Sequence, residues 1–364
     1  MNQIALPLNF PAQPADAHSI FDAVGFEIGW LIYVGRVSSV GANVNLLATY
    51  LAAFIPGADH GPGRIAVIFV TVAIFTVLNV VGVKQGMSSI YVLTVFKLLP
   101  LLVFVLVGLA YLRPEPFAPT AFPGVTSFGQ AVLLVFYAFI GFEGAVIPAG
   151  ETRDPERNIP RALIATAAFT TVLYLLIQIV SVGVLPGLAA SERPLADAAG
   201  VTLGAFGVVL ISAGAVVSIL GNTAASVLSA PRMTYALARD HCLPPVFAAV
   251  HERYRTPYVS IIVYGLIAFG LALSGTFVWL ASMSSFIRIV GYGLCIAAIP
   301  KLKRQFGRNP GAFRIPGGFF VPGVALVICV WLLTLVKIDA VLVTLAFIAA
   351  GSLLYRVGRR SPAA

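Results

Sequence analysis

Four ionisable residues lie inside stretches that are otherwise apolar enough to cross a membrane: Arg36, Lys97, Glu143 and Arg288. A charged side chain at the centre of a bilayer costs from about 2.5 kcal/mol upward, so each is expected to face a bundle interior, a cavity or a partner. Three of the four are basic and one is acidic. This imbalance predicts that a further acidic partner lies elsewhere.

Lys97 lies in the stretch SSIYVLTVFKLLPLLVFVLVGL, residues 88–109, and has two interpretations. At a rise of 1.5 Å per residue it lies about 12 Å from the cytoplasmic end of its span, so its long side chain could almost reach the interface. Alternatively, Lys97 is a buried lysine that gains and loses a proton during a transport cycle. The sequence leaves both interpretations open.

The two arginines favour structural roles. Arg288 cannot usefully deprotonate, which favours a fixed internal ion pair or a carbonyl cap. Arg36 is followed on its span by Asn43 and Asn45, and together they predict one polar stripe on that helix. Packing of this stripe in the bundle interior is the preferred interpretation.

The stretch FGQAVLLVFYAFIGFEGAVIPAGETRDPERNIPRA combines apolar length with residues that break helices. Gly141 and Gly144 flank Phe142 and Glu143, and Pro148 follows. Unwound backbone at membrane depth survives only where it lines a cavity or is buried in protein. Half-helix ends offer free N–H and C=O groups, and Glu143 lies in the break. The pattern therefore favours a transport site over a kink that serves packing alone.

Composition indicates which elements position these residues. The chain of 364 residues is 59% hydrophobic and 10% charged, with a mean hydropathy of +0.96, which excludes an ordinary soluble protein. A helical span needs about 20 apolar residues, and the apolar runs lack the alternation of a strand barrel. The predicted fold class is all-α, a polytopic membrane helix bundle of about ten transmembrane helices. The predicted spans are residues 26–55, 64–83, 89–112, 128–150, 163–186, 201–227, 259–274, 277–299, 319–336 and 340–355.

Charge sets the expected topology. Sixteen Lys and Arg residues fall in the loops and tail on the side of both termini, against four on the other side. The positive-inside rule then places both termini in the cytoplasm of a multi-pass protein of the plasma (inner) membrane. The net charge of +9 follows from this topology and requires no nucleic-acid partner. Between the sixth and seventh spans, PRMTYALARDHCLP predicts an amphipathic extension or a short surface helix.

Several function classes are disfavoured. Three cysteines and four histidines are scattered without ligand spacing, so neither a metal nor a cofactor is predicted. The sequence has no GxxxxGK[ST] loop for a nucleotide. An intramembrane enzyme needs a nucleophile and base, or paired aspartates, at membrane depth, and no span carries either. A passive channel lacks a repeated ring-forming charge motif.

Three stretches resemble the amino acid–polyamine–organocation (APC) superfamily. FIGFEGAVIPAGETRDPERNIPRALI is similar to its sixth helix and following loop, and YALARDHCLPPVFAAVHERYRTP to the loop after its eighth helix. VFKLLPLLVFVLVG resembles its fifth helix, where proton-coupled members carry a lysine. The resemblance runs from about Phe21 to the C-terminus. It implies a leucine-transporter-like fold of two inverted five-helix repeats with alternating access.

The resemblance also implies site residues. Substrate-binding positions would be Phe139, Ile140, Gly141, Phe142 and Glu143 at the break, with Asn222 and, more weakly, Ser218 on the eighth helix. Lys97 takes the place of the sodium ion of sodium-coupled relatives. Protonated, it would hold the fifth helix against its neighbours; neutral, it would release them. Lys97 and Glu143 are thus the implied proton-coupling residues.

The sequence departs from the family at its start. GFEIGWLIYVGRVSSVGANVNLLATYL resembles the third helix, so the first two of twelve helices are expected to be missing. An upstream start codon, a truncated remnant and a stable short form with another role all fit. The predicted segments are 1–25, a short non-family segment; 26–112, three helices of the first repeat; 128–300, the second repeat; 319–355, two C-terminal helices; and 356–364, a basic cytoplasmic tail.

Two function hypotheses follow. The first is a secondary active transporter of amino acids or related amines, with the amino acid, protons and the lipid bilayer as its partners. The second is a truncated, non-transporting membrane protein, either a remnant or a sensor. The substrate, the stoichiometry and the oligomeric state are not specified by the sequence.

Overall fold

Helices make up the fold throughout the described part of the chain, which contains no strand. The computed structural model describes residues 18–82, 87–117, 124–142, 152, 154–306 and 317–360. The α-helices in these ranges are α1 (His18–Leu51), α2 (Gly61–Val81), α3 (Met87–Gly108), α4 (Val125–Ala138), α5 (Pro155–Val184), α6 (Pro194–Ser229), α7 (Pro231–Arg239), α8 (Tyr258–Ser274), α9 (Phe277–Phe306), α10 (Phe320–Leu333) and α11 (Ile338–Arg360).

The predicted all-α membrane bundle is confirmed. Six helical segments are long and apolar enough to cross a membrane, and α4, α8 and α10 are shorter apolar helices. Each of the ten predicted spans overlaps one helix, but α4 ends at Ala138, and residues 143–150 of the fourth predicted span lie outside the described residues. α7 is the short helix predicted from PRMTYALARDHCLP.

Three helices begin seven or eight residues before their predicted spans, and one of them is α5, which begins at Pro155 rather than at residue 163. α1 begins at His18 rather than at residue 26, since no proline interrupts the chain between His18 and Leu51. α6 begins at Pro194 and is kinked at Gly204, whose φ of 63° and ψ of −153° suit glycine. The predicted span, residues 201–227, omits residues 194–200 at the start of α6.

α1 is the central helix of the bundle. It packs most extensively against α9 and also contacts α6, α8, α11 and α2. Its residues from Trp30 to Ala48 are mostly buried. A helix that is apolar on nearly all faces is buried on nearly all faces. α1 therefore places Arg36 and its neighbouring polar residues inside the bundle.

The same helix pairs are in contact when α1, α2 and α3 are exchanged with α6, α8 and α9 respectively, although the extents of the contacts differ. α1 packs against α9 as α6 packs against α3, and α1 contacts α8 as α6 contacts α2. The contact of α1 with α2 likewise corresponds to that of α6 with α8. The α1–α6 and α2–α8 contacts are each converted into themselves by the exchange. This pattern agrees with two repeats related by a pseudo-two-fold axis.

Arg64 at the start of α2 joins three helices. Its Nη2 donates hydrogen bonds of 3.0 Å to the carbonyl oxygens of Ala272 and Gly275, at the end of α8. Its Nε donates to Asn45 Oδ1 on α1 at 2.8 Å, and Asn45 Nδ2 donates to the Ala272 oxygen at 3.0 Å. The last carbonyl groups of a helix lack partners within the helix. A cation at this end is stabilised by the partial negative charge of the helix dipole.

Replacing Arg64 with glutamine is expected to lower the free energy of unfolding by about 2–3 kcal/mol, because two charge-assisted hydrogen bonds to carbonyls are lost. Thermal unfolding in detergent measures the change. The exposed Arg113 serves as control, since its conversion to glutamine is expected to change stability by less than about 0.5 kcal/mol. Equal effects of the two substitutions would contradict the role of Arg64.

Candidate functional site

α4 ends in the middle of the fourth apolar stretch. Its last residue is Ala138, and the chain then turns through residues 139–141, where Gly141 has a φ of 116°. Only glycine adopts this conformation readily. The helix thus ends three residues before Gly141, where the sequence predicts the start of the break. Glu143, Gly144 and Pro148 lie outside the described residues.

Tyr174 on α5 supports the end of α4. Its hydroxyl donates a hydrogen bond of 3.1 Å to the Ala138 carbonyl, which is among the last of the helix. The rings of Tyr174 and Phe139 meet edge to face, with centroids 5.3 Å apart. Sequence reasoning missed Tyr174. A signal was present, since a tyrosine inside an apolar span needs a partner for its hydroxyl.

Removing the Tyr174 hydroxyl is expected to destabilise the turn while the ring contact remains. Tyr174→Phe should lower the unfolding free energy by about 1 kcal/mol, the usual net contribution of one hydrogen bond. Tyr235→Phe on α7 is the matched control, because its hydroxyl lies outside the groove described below. Thermal unfolding of both variants measures the difference, and equal stability of Tyr174→Phe and wild type would contradict the cap.

A groove of about 1010 Å³ lies between α3, α5, α6 and the turn after α4. The structure brings most of the sequence-predicted site residues together in its walls: Lys97, Phe139, Ile140, Gly141, Phe142, Ser218 and Asn222. Thr94, Leu163, Ile164, Thr166, Thr170, Tyr174 and Val217 also line it. α3 and α6 pack against each other, and both line the groove together with α5.

Lys97 is exposed at the groove. No described segment covers this part of α3, and the two interpretations of Lys97, a proton-exchanging lysine and a lysine that reaches the interface, both stay predictions. Pro100 follows one turn later and provides no N–H group, so the Phe96 carbonyl lacks its helical partner. The side chain and this carbonyl give α3 a polar section within an apolar helix.

A second space, which we call the arginine cavity, adjoins the groove. Its volume is about 460 Å³, and it shares Ala138, Ile140, Gly141, Asn222 and Ala225 with the groove. Its other lining residues are Arg36, Ser39, Asn43, Tyr137, Ser226, Ser229 and Arg288. The two arginines, which the sequence analysis treats separately, therefore meet in one cavity.

Hydrogen bonds fix the polar wall of the arginine cavity. The Tyr137 hydroxyl donates to Asn43 Oδ1 at 3.1 Å, joining α4 to α1. Ser284 on α9 donates to the Gly35 carbonyl at 2.9 Å, and its Oγ lies 2.8 Å from Ser39 Oγ. Arg36 and Arg288 are thereby carried on helices that are tied together.

The predicted polar stripe on α1 divides between two faces. Arg36 and Asn43 both line the arginine cavity, whereas Asn45 contacts Arg64 and the end of α8. At about 100° per residue, a separation of nine positions places Asn45 opposite Arg36.

Among the described residues, no group of three or more His, Cys, Asp or Glu side chains could hold a metal ion.

Comparison with known proteins identifies the family. The family model for amino acid permeases matches residues 17–356 of the chain. The chain belongs to the amino acid permease family. The APC resemblance is thereby confirmed, and with it the expectations of a multi-pass membrane protein and of a transporter family rather than an enzyme.

Three relatives from Bacillus subtilis (strain 168) show the range of the family. A methylthioribose transporter is 28% identical over 355 residues, covering 92% of this chain and 76% of the relative. The branched-chain amino acid permease BcaP is 29% identical over 320 residues, with 84% and 66% covered. The serine/threonine exchanger SteT is 29% identical over 304 residues, with 80% and 68% covered. The chain thus spans about two thirds to three quarters of their lengths.

Proposed function

We propose that the chain is a secondary active transporter of amino acids or related amines, coupled to protons. We place it in the plasma (inner) membrane with both termini in the cytoplasm. The observation that carries the proposal is the groove, since Lys97, residues 139–142, Ser218 and Asn222 come from three separate parts of the sequence and line one space. A space of this size beside a helix end suits a small zwitterionic molecule.

The groove offers different chemistry to the two ends of such a substrate. α4 ends at Ala138, and the C-terminal end of a helix carries a partial negative charge that favours an ammonium group. Phe139, Leu163, Ile164 and Val217 supply an apolar wall for a side chain. Among the relatives, BcaP is named for branched-chain amino acids and SteT for serine and threonine.

Lys97 supports proton coupling in the proposal. It lies on the apolar helix α3 and lines the groove, and an ionisable residue inside a membrane span is by default a candidate functional site. Gain and loss of its charge would change the electrostatic balance between α3, α6 and a bound substrate. Glu143, the second proposed proton-coupling residue, lies outside the described residues and is included by sequence alone.

Uptake into proteoliposomes tests the proposal. We expect the purified chain to accumulate at least one of the twenty radiolabelled amino acids when the lumen is made alkaline, and a protonophore to abolish the accumulation. Empty liposomes provide the baseline. If a folded, inserted protein transports none of the twenty, the result would favour the non-transporting alternative.

Two substitutions then examine the site. Asn222→Ala should lower uptake about five- to tenfold, the effect of losing one substrate hydrogen bond. Glu143→Ala should do the same or more, whereas Glu252→Ala, in an exposed loop, should leave uptake unchanged. Unchanged uptake in both site variants would remove the assigned roles.

A further inference from the structure

The arginine cavity concentrates positive charge. Arg36 comes from α1 and Arg288 from α9, and the other described lining side chains are neutral. Arg288 is only 6% exposed, and both arginines line the same cavity. Like charges repel more strongly away from bulk water. An anion in this cavity would offset that repulsion.

Arg36 has donors left for a ligand. Its Nη1 donates to Ser229 Oγ at 2.9 Å, while its Nε is buried and has no hydrogen-bond partner among the described residues. A guanidinium group has five N–H donors in a planar fork, a geometry that matches a carboxylate. Asn43, Asn222 and the serines around the cavity offer further hydrogen bonds to the same ligand.

The position of the cavity suggests which carboxylate it would receive. Asn222 and the turn from Ala138 to Gly141 line both the arginine cavity and the groove, so one small molecule at this boundary contacts both spaces. Most residues that line the cavity are polar or charged, whereas much of the groove wall is apolar. A ligand with a carboxylate at one end and an apolar group at the other fits this division.

We propose that the arginine cavity binds a carboxylate, either that of the transported amino acid or that of a free small carboxylic acid. Arg36 is the main recognition residue, with Arg288 supplying the second positive charge. The first source rests on the proposed function, while the second is independent of it. In either case Arg36 is required for binding of the ligand's carboxylate group and not for binding of an amine group.

Binding to the purified, detergent-solubilised chain distinguishes the two sources. Isothermal titration would compare L-leucine, L-leucinamide and 4-methylpentanoate, which carry respectively both charged groups, the amine alone and the carboxylate alone. We expect leucinamide to bind at least about tenfold more weakly than leucine, the loss associated with one charge-assisted hydrogen-bonded pair. Binding of 4-methylpentanoate without leucine would indicate a free carboxylic acid as the ligand. Equal binding of leucine and leucinamide, or binding of none of the three, would overturn the proposal.

Arginine variants identify the residue responsible. Arg36→Gln should abolish the preference for carboxylate over amide, and Arg36→Lys should retain part of it, because lysine keeps the charge but not the fork. Arg239→Gln, on the surface helix α7, should match wild type. Thermal unfolding of each variant without ligand shows whether it is folded. If Arg36→Gln keeps the preference while Lys97→Met loses it, the carboxylate belongs to Lys97 and the proposal is wrong.

These experiments separate this proposal from the transport proposal. A chain that prefers carboxylates in binding but transports no amino acid would fail as a transporter and retain the carboxylate site. A chain that transports amino acids but treats leucine and leucinamide alike, with or without Arg36, would retain transport and lose the site.

Discussion

Replacing Lys97 with alanine is expected to abolish the response of amino acid uptake to a pH gradient. Gradient-driven uptake should fall at least about tenfold, which corresponds to a loss of about 1.4 kcal/mol of coupling free energy between proton and substrate. Lys97 is the described lysine that lines the groove, so its proton exchange would act directly beside the substrate. Counterflow, in which labelled and unlabelled substrate exchange without a gradient, should be reduced less. Parallel measurement of the two modes in proteoliposomes separates coupling from binding.

Two further variants decide between proton exchange and snorkelling. Lys97→Arg keeps a long cationic side chain but cannot deprotonate, so it should also lose gradient-driven uptake. A lysine that only reaches toward the interface would be replaced by arginine without loss. Lys337→Ala, at an exposed lysine beside the start of α11, is the matched control and should behave as wild type. Full gradient-driven uptake by Lys97→Ala would refute the role of Lys97.

Most of the fold follows from local sequence, because a membrane span is specified by the length and polarity of one continuous stretch. In the described part of the chain, the predicted spans overlap each of α1 to α6 and α8 to α11. They miss residues 194–200 of α6, where Pro194 and Asp197 interrupt the apolar run. They also begin α1 too late, since the residues from His18 onward are helical without being strongly apolar.

The groove could be anticipated only in part. The break after α4 is visible in the glycines around Phe142, and Lys97 is conspicuous as a charge in an apolar span. The meeting of Arg36 and Arg288 was not predictable from spacing, because it depends on α1 lying against α9. The need of Tyr174 for a partner was visible in the sequence, but the partner itself was not, since it is a backbone carbonyl on another helix.

One close contact connects the packing of the bundle to the groove. A Cβ placed on Gly214 of α6 would lie 2.8 Å from Pro100 Cγ and 3.1 Å from Pro100 Cβ on α3. One turn from Pro100 lies Lys97, and one turn from Gly214 lies Ser218, and both of these residues line the groove. Because the proline ring is rigid, a side chain at Gly214 must push α3 and α6 apart.

We therefore expect Gly214→Ala to lower the free energy of unfolding by about 1–3 kcal/mol, the usual range for overpacking a tight contact. Uptake should fall about tenfold, because a displacement of about 1 Å in a binding site has effects of this order or larger. Gly270→Ala on α8 is the matched control. No heavy atom lies within 4 Å of its added Cβ, so the higher helix propensity of alanine should leave stability unchanged or raised by up to about 1 kcal/mol.

The role of the contact itself is tested by a second change on α3. Pro100→Ala removes the ring that a side chain at Gly214 would meet, so the double variant should recover part of the stability and uptake lost in Gly214→Ala. In a double-mutant cycle this recovery appears as a coupling energy of about 0.5–3 kcal/mol between the two positions. Strict additivity would show that Gly214 acts on α6 alone. The groove would then owe its width to contacts other than the approach of Pro100 to Gly214.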